Sequence, residues 1–306
     1  MRKLIIKLFI FTIPIVISAI CIEAYNRVNN TFYAKNKYIE KNKDSIEVLL
    51  LGSSQTWRAI NPKYLKVSTA PLSHGGSAFN IDYLLFKKFV KALPKLQVVI
   101  LEVSYHSFED YRDESWNKNH LFYKYYGINN YKDFIPFSER FLVTANPKGY
   151  INRMISSTGN AELGEYNEYG YITTANTTIN ETGYSSNALK SRHILENLKH
   201  YKRNKVLLNE IVSICSEKGI DIVLFSPPKH KGYNQYNSKG KLKRRDQIFE
   251  QLDSNQKIHN WNYEKKYENA DSLFYNEDHL NIKGSKIMSI ELDFKLRNLL
   301  KIKARK

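Results

Sequence analysis

The 306-residue chain carries 47 Lys and Arg against 30 Asp and Glu, a formal net charge of +17. Hydrophobic residues make up 42% and aromatics 13%, which excludes a disordered chain, and 8 Pro and 13 Gly exclude a collagen-like or linker-dominated one. The charge sits in three acid-free stretches: Arg2, Lys3 and Lys7; Lys229, Lys231, Lys239, Lys241, Lys243, Arg244 and Arg245; and Lys295, Arg297, Lys301, Lys303, Arg305 and Lys306. Elsewhere basic and acidic residues nearly balance. With no zinc-finger spacing and no basic helix interleaved with aromatics, this pattern predicts no nucleic-acid partner.

In chain order, residues 1–24 come first. Residues 8–22 are apolar and uncharged, behind the basic cluster Arg2, Lys3 and Lys7. Lys7 can snorkel and lengthen the usable span. A cleaved signal peptide has the same layout, but no clean small-residue cleavage site follows, and Ile20 before Cys21 makes a poor lipoprotein site. The reading favoured is one uncleaved transmembrane helix in the cytoplasmic membrane, amino terminus inside and the body on the periplasmic or extracellular face.

Residues 25–45 are polar and read as a tether. Ile46 to Leu51 reads as a buried strand ending at Gly52. Asn61-Pro62 has the form of a helix start. Ser77 to Leu93 carries apolar residues at helical spacing. Val98 to Val103 is a second buried strand, Ser191 to Glu217 a long helix, Ile220 to Phe225 a third strand and Lys283 to Leu300 a last helix. Residues 301–306 form a basic tail. Cys215, the only Cys outside the apolar run, reads as a small core residue. Strands alternating with helices predict one α/β domain over residues 46–300, a three-layer αβα sandwich with a mostly parallel, flavodoxin-like sheet. Residues 105–190, rich in Tyr, Asn and Thr, interrupt the rhythm and read as an insertion, either a cover over one end of the sheet or irregular packing.

Ligands of an open parallel sheet bind beyond the carboxyl ends of its strands. After the first strand stands Gly52-Ser53-Ser54-Gln55-Thr56-Trp57, where a strand-to-helix turn exposes a hydroxyl beside unbonded N–H groups. Such a hydroxyl needs a base. Asn276-Glu277-Asp278-His279, just ahead of the last helix, offers an imidazole with a neighbouring carboxylate. After the third strand, Ser226-Pro227-Pro228-Lys229-His230 makes a rigid turn near the same end, and Lys229 and His230, with Gln55 and Trp57, are candidate substrate-binding residues. The basic run that follows reads as a loop, either one able to meet an anionic polymer or lipid headgroups or a solvated one. The eight His show no paired metal-ligand spacing, and no Walker-type phosphate loop occurs, so no metal and no cofactor are expected.

These segments resemble the SGNH/GDSL hydrolase superfamily over residues 46–300. Gly52-Ser53-Ser54 is similar to its Gly-Asp-Ser turn, which implies Ser54 as nucleophile. Asn276 to His279 is similar to its closing Asp-x-x-His, which implies His279 as base. Gly75-Gly76 is similar to its glycine block, which implies oxyanion donors at Ser54 and Gly76. The run Asp278-His279-Leu280-Asn281-x-x-Gly284 is similar to the membrane-anchored branch that handles envelope polymers. The resemblance implies a serine esterase or acyltransferase acting on acylated glycan or another envelope polymer, with a membrane-bound acyl-transfer partner. Two departures stand out. Asn276 occupies the usual Asp position, leaving Asp278 as the adjacent carboxylate. Glu102-Val103-Ser104 occupies the Gly-x-Asn block, leaving Ser104 as the substitute oxyanion donor. Both departures keep open a catalytically silent envelope protein that binds or scaffolds glycan on the same fold.

Overall fold

The computed structural model describes residues 1–155, 165–174, 176–182, 193–252 and 254–304. Helix α1 (Arg2–Val28) has a mean hydropathy of 2.6 over its most apolar 18 residues, none of them buried in the protein. Its 27 residues rise about 40 Å, enough to cross a bilayer's hydrocarbon core.

Residues 25–45 are not a loose tether. They complete α1 and form α2 (Thr31–Asn42), capped by Asn30, whose side chain accepts from the Tyr33 N–H at 2.9 Å. The buried face of α2 holds Thr31, Phe32, Lys35 and Ile39. A Lys within that face makes the segment look polar in sequence, but its ammonium is satisfied by the Ser73 carbonyl and lies 4.8 Å from the centre of the Trp57 ring.

The sheet comprises β1 (Val48–Leu51), β2 (Thr69–Pro71), β3 (Val98–Glu102), β4 (Asp221–Ser226) and β5 (Ile258–Asn262), in spatial order β2-β1-β3-β4-β5 and parallel throughout. The three central strands are buried on both faces, which is why they read as continuous apolar runs. Alternate residues feed two cores. Leu49, Leu51, Val99 and Leu101 join residues of α4 (Phe79–Ala92) and of α9 (Leu198–Lys218), a helix that carries buried Cys215. Val48, Leu50, Val98 and Ile100 join Met288, Leu292 and Leu296 of α12 (Ile282–Ala304). Strand order reverses between β1 and β3, the place where such sheets present ligand-binding loops.

The edge strands β2 and β5 escaped the sequence reading. One is three residues long and ends in Pro, and the other is polar and half-exposed, as edges commonly are. The Asn61-Pro62 start yields only a 3-10 turn, Pro62–Tyr64.

The basic run at 229–245 is not a solvated loop. It forms α10 (Lys231–Asn234) and opens α11 (Lys239–Leu252). Lys241 and Arg245 are buried: Arg245 pairs with Glu264 at 2.7 Å, and Lys241 lies 3.9 Å from Glu109, which Arg244 also meets. Buried cations repeating at helical spacing hid an amphipathic helix behind a charge run. The basic tail likewise continues α12 as far as Ala304.

Within the insertion, the described residues form α5 (Asn119–Tyr126), α6 (Leu142–Ala145), α7 (Pro147–Ile155) and α8 (Ile179–Thr182). Residues 156–164, 175 and 183–190 of that segment, and the expected helix start at Ser191 with residue 192, lie outside the described residues; the described long helix begins at Leu198.

Candidate functional site

β1 ends at Leu51, and Gly52 turns the chain with φ +144°, a conformation that favours glycine. A Cβ there would stand 2.7 Å from Glu102 Cβ and 2.8 Å from Thr56 Oγ1, so the close approach of β3 also requires Gly. Ser53 caps α3 (Ser54–Ala59), its Oγ accepting from the Gln55 N–H at 3.2 Å. Ser54 is therefore the first helical residue, with its hydroxyl at the carboxyl end of the sheet.

Glu102 at the end of β3 fixes this turn. Its carboxylate accepts from the Ser53 N–H at 2.7 Å, the Ser53 hydroxyl at 2.8 Å and the Thr56 N–H at 3.2 Å. Asp82 of α4 adds a second buried carboxyl, accepting from the Ser77 hydroxyl at 3.0 Å and from the Gly52 backbone. Burial, then the nearby Glu102 charge, pushes Asp82 well above the usual carboxylate range. Neither residue was singled out from sequence. Glu102 ends an apolar strand and Asp82 lies in a helix, and only the parallel pairing of β1 with β3 and the packing of α4 reveal their aim.

The second half of the site comes from a short antiparallel pair, β6 (Phe274–Asn276) and β7 (His279–Leu280). Its turn carries Glu277 and Asp278, and α12 follows at once. His279 Nε2 lies 2.8 Å from Ser54 Oγ. His279 Nδ1 lies 2.9 Å from Asn276 Oδ1 and 2.8 Å from Asp278 Oδ1. Adjacent side chains commonly diverge, but the tight β6–β7 turn brings the buried Asp278 carboxylate to ion-pair distance of its neighbour's Nδ1.

Gln55, Trp57, Lys229 and His230 are all buried, which does not suit direct contact with a large substrate. Gln55 links two site groups: its Oε1 accepts from the Ser104 hydroxyl at 2.9 Å, and its Nε2 faces Asp278 Oδ2 at 3.5 Å. Trp57 donates to the Gly170 carbonyl at 3.1 Å and packs on Tyr171 and Ile172 of the insertion. His230 uses both ring nitrogens, one toward the Gly232 N–H and the other toward Asp271 at 3.0 Å, while its backbone N–H bonds the Glu277 carbonyl. Lys229 lies beside the Tyr233 ring. These residues support the turns that carry the site.

The oxyanion candidates separate in the same way. The Ser104 hydroxyl is directed at Gln55, with Glu102 3.4 Å away, so its one hydrogen is already committed. Gly76, at φ +72°, belongs to a segment tied to the turn by the His74 N–H donating to the Gly52 carbonyl at 2.9 Å. Arg112 and Lys118 hold the carbonyls of Gly76 and Gly75 at 2.7 and 2.8 Å. Among the described residues, no acceptor pairs with the backbone N–H of Ser54 or of Gly76.

His193, invisible to motif reading, packs on Tyr105 and Tyr233 beside this cluster. Burial, reinforced by Lys241 and opposed by Asp278, lowers it to about 4. Among the described residues, no group of three His, Cys, Asp or Glu is arranged to hold a metal.

No protein-family model and no curated protein matches the chain.

Proposed function

We propose that the protein is a membrane-anchored serine esterase or acyltransferase, built on the SGNH/GDSL plan, that acts on acyl esters of cell-envelope or secreted polysaccharide. One observation carries this reading: a hydroxyl at a strand-to-helix turn lies 2.8 Å from an imidazole whose other nitrogen lies 2.8 Å from a buried carboxylate. Such an arrangement supports an activated oxygen nucleophile.

Ser54 Oγ attacks the acyl carbon while His279 Nε2 takes its proton, and Asp278 stabilises the resulting imidazolium. The N–H groups of Ser54 and Gly76 are the donors for the developing oxyanion. His279 returns the proton to the departing alkoxide. It then deprotonates water, or a sugar hydroxyl, which attacks the acyl-enzyme, and returns that proton to Ser54 Oγ as the acyl–oxygen bond breaks. The apolar α1 keeps this chemistry at a membrane and supports an envelope substrate.

The experiment is turnover of an acetylated glycan by the full chain in detergent, with and without an excess of unacetylated acceptor. Acetate release, or acetyl transfer to the acceptor, that disappears in Ser54→Ala supports the reading. The committed Ser104 hydroxyl favours the silent, glycan-binding alternative, for which glycan would bind without either product forming.

A further inference from the structure

The amino-terminal helix is docked to the body at a defined place. Glu23 on α1 accepts from the backbone N–H of Leu142 at 3.1 Å and of Val143 at 2.9 Å, the first residues of α6, and pairs with Arg27 at 2.7 Å. Arg153 of α7 donates to Asn26 at 3.0 Å. The Asn30 side chain donates to the Tyr125 hydroxyl at 2.7 Å, which donates in turn to the Arg27 carbonyl at 2.8 Å. The body therefore holds the last turns of α1 in a fixed orientation.

An apolar groove of about 500 Å³ lies along this junction. Its α1 wall is apolar at Val16, Ala19, Ile20 and Ala24 and charged at Glu23 and Arg27, and Phe141 and Val143 stand opposite. Val16, Ala19 and Ile20 belong to the uncharged run 8–22, the part that lies in hydrocarbon when α1 crosses a bilayer, and Glu23, Ala24 and Arg27 lie just past it. The groove therefore runs from the depth of the acyl chains to the charged boundary at Glu23 and Arg27. The segment leading into it exposes large aromatics: Phe134 is 77% accessible, Phe137 72% and Phe141 40%. The Arg140 guanidinium lies 5.9 Å from the centre of the Phe137 ring, and that of Arg27 5.9 Å from that of Phe141. Clustered exposed rings are unusual on a soluble surface. Rings flanked by snorkelling cations beside a spanning helix suit the headgroup-to-acyl boundary.

The same junction fixes which end of the sheet is near the membrane. α2 begins directly after α1, and its Lys35 bonds the Ser73 carbonyl just beyond β2. Gly170 packs on Thr31 and Lys35, and its carbonyl takes the Trp57 indole N–H. The anchor thus emerges at the carboxyl end of the sheet, the end that carries Ser54.

We propose that residues 134–143 are a second membrane contact, immersed in the lipid interface beside α1, which holds the carboxyl end of the sheet toward the bilayer and directs the site at acyl groups or polymers presented at the membrane surface. This rests on reading α1 as a membrane span. The ligand of the surface is the bilayer itself, with headgroups meeting Arg140 and acyl chains meeting Phe134, Phe137 and Phe141.

The test uses the full chain with Cys21→Ala and Cys215→Ala, reconstituted in vesicles of phosphatidylcholine and phosphatidylglycerol. A nitrobenzoxadiazole label is placed at Phe11→Cys, Phe137→Cys or Lys95→Cys. Lys95 is an exposed residue at the amino end of β3. Nitroxide-bearing lipids should quench the labels at 11 and 137 and leave the label at 95 bright. Quenching at 11 with 137 behaving like 95 overturns the second contact and leaves the anchor standing. No quenching at 11 overturns the anchor and the second contact with it. A label at 137 shielded from both lipid nitroxide and aqueous iodide means that a second copy of the chain covers the surface, and it also overturns the proposal. If the cysteine-free chain does not fold, quenching of Phe137→Trp by brominated lipid, compared with the parent chain, gives the same decision.

Discussion

The Glu102 carboxylate accepts both the backbone N–H of Ser53, at 2.7 Å, and its hydroxyl, at 2.8 Å. Through this clasp the end of β3 sets the position of a hydroxyl on the next residue. Glu102→Gln keeps the shape but loses the charge and half of the acceptor capacity, so one donor of the turn is left unpaired. The expected cost is about 1.5–3 kcal/mol of stability. A displaced Ser54 should lower kcat/KM on p-nitrophenyl acetate by about a hundredfold, as small misplacements of reacting groups do. Urea titration and ester kinetics measure the two effects. Unchanged kinetics with lowered stability would remove Glu102 from the positioning account.

Asn276 hydrogen-bonds His279 Nδ1 at 2.9 Å, Asp278 stands at ion-pair distance from the same nitrogen at 2.8 Å, and charge distinguishes them. Only Asp278 can stabilise the imidazolium formed as Ser54 is deprotonated. Asp278→Asn should lower kcat by about 10²–10⁴, the upper figure being the cost of the same change in a serine-protease triad. Asn276→Ala should cost far less, and Asn276→Asp should be tolerated. Equal losses from Asp278→Asn and Asn276→Ala would show that orientation alone matters.

Gly52→Ala introduces a Cβ at φ +144°, against Glu102 Cβ and Thr56 Oγ1. Backbone strain of this kind costs about 1–3 kcal/mol. Thermal melting should show a lowered midpoint. Ester hydrolysis should fall with it, because the displaced atoms belong to the Glu102 clasp.

His74 is fully buried, stacked on Phe32 at 4.1 Å and bonded through Nε2 to the Tyr126 hydroxyl at 3.0 Å. Burial first, then Lys35 and Lys118, pushes its pKa well below the usual value for histidine. Below about pH 6.5 the unfolded chain takes up a proton that the folded chain refuses. This residue's contribution is therefore complete above pH 6.5 and declines as pH falls, by up to about 1.4 kcal/mol per pH unit. His74→Asn should flatten the fall in stability between pH 6.5 and 5, whatever its effect at neutral pH. An unchanged slope would mean that His74 titrates normally in the folded protein.

The central strands were legible because burial on both faces leaves continuous apolar runs, and the Gly-Ser-Ser and Asp-His segments were legible because they sit where such strands and the last helix meet. Apart from the short or half-exposed edge strands, much of what was hidden has one cause: burial of groups that sequence rules assign to solvent. Lys35 conceals α2, Lys241 and Arg245 conceal α11, and Glu102 looks like a strand end until parallel pairing brings it against the Ser53 turn. Lys229 and His230 go in the opposite direction: their place just after the third strand points to the site, whereas the fold buries both side chains.

The central claim is that Ser54 is a nucleophile activated by His279. Full-length protein in detergent should be treated with a fluorophosphonate probe and analysed by intact mass and peptide mapping, alongside Ser54→Ala and His279→Ala. The account predicts a single adduct on Ser54 in the parent chain, none in Ser54→Ala, and strongly slowed labelling in His279→Ala. An unlabelled parent chain, under conditions that fully label a known serine esterase, would contradict it.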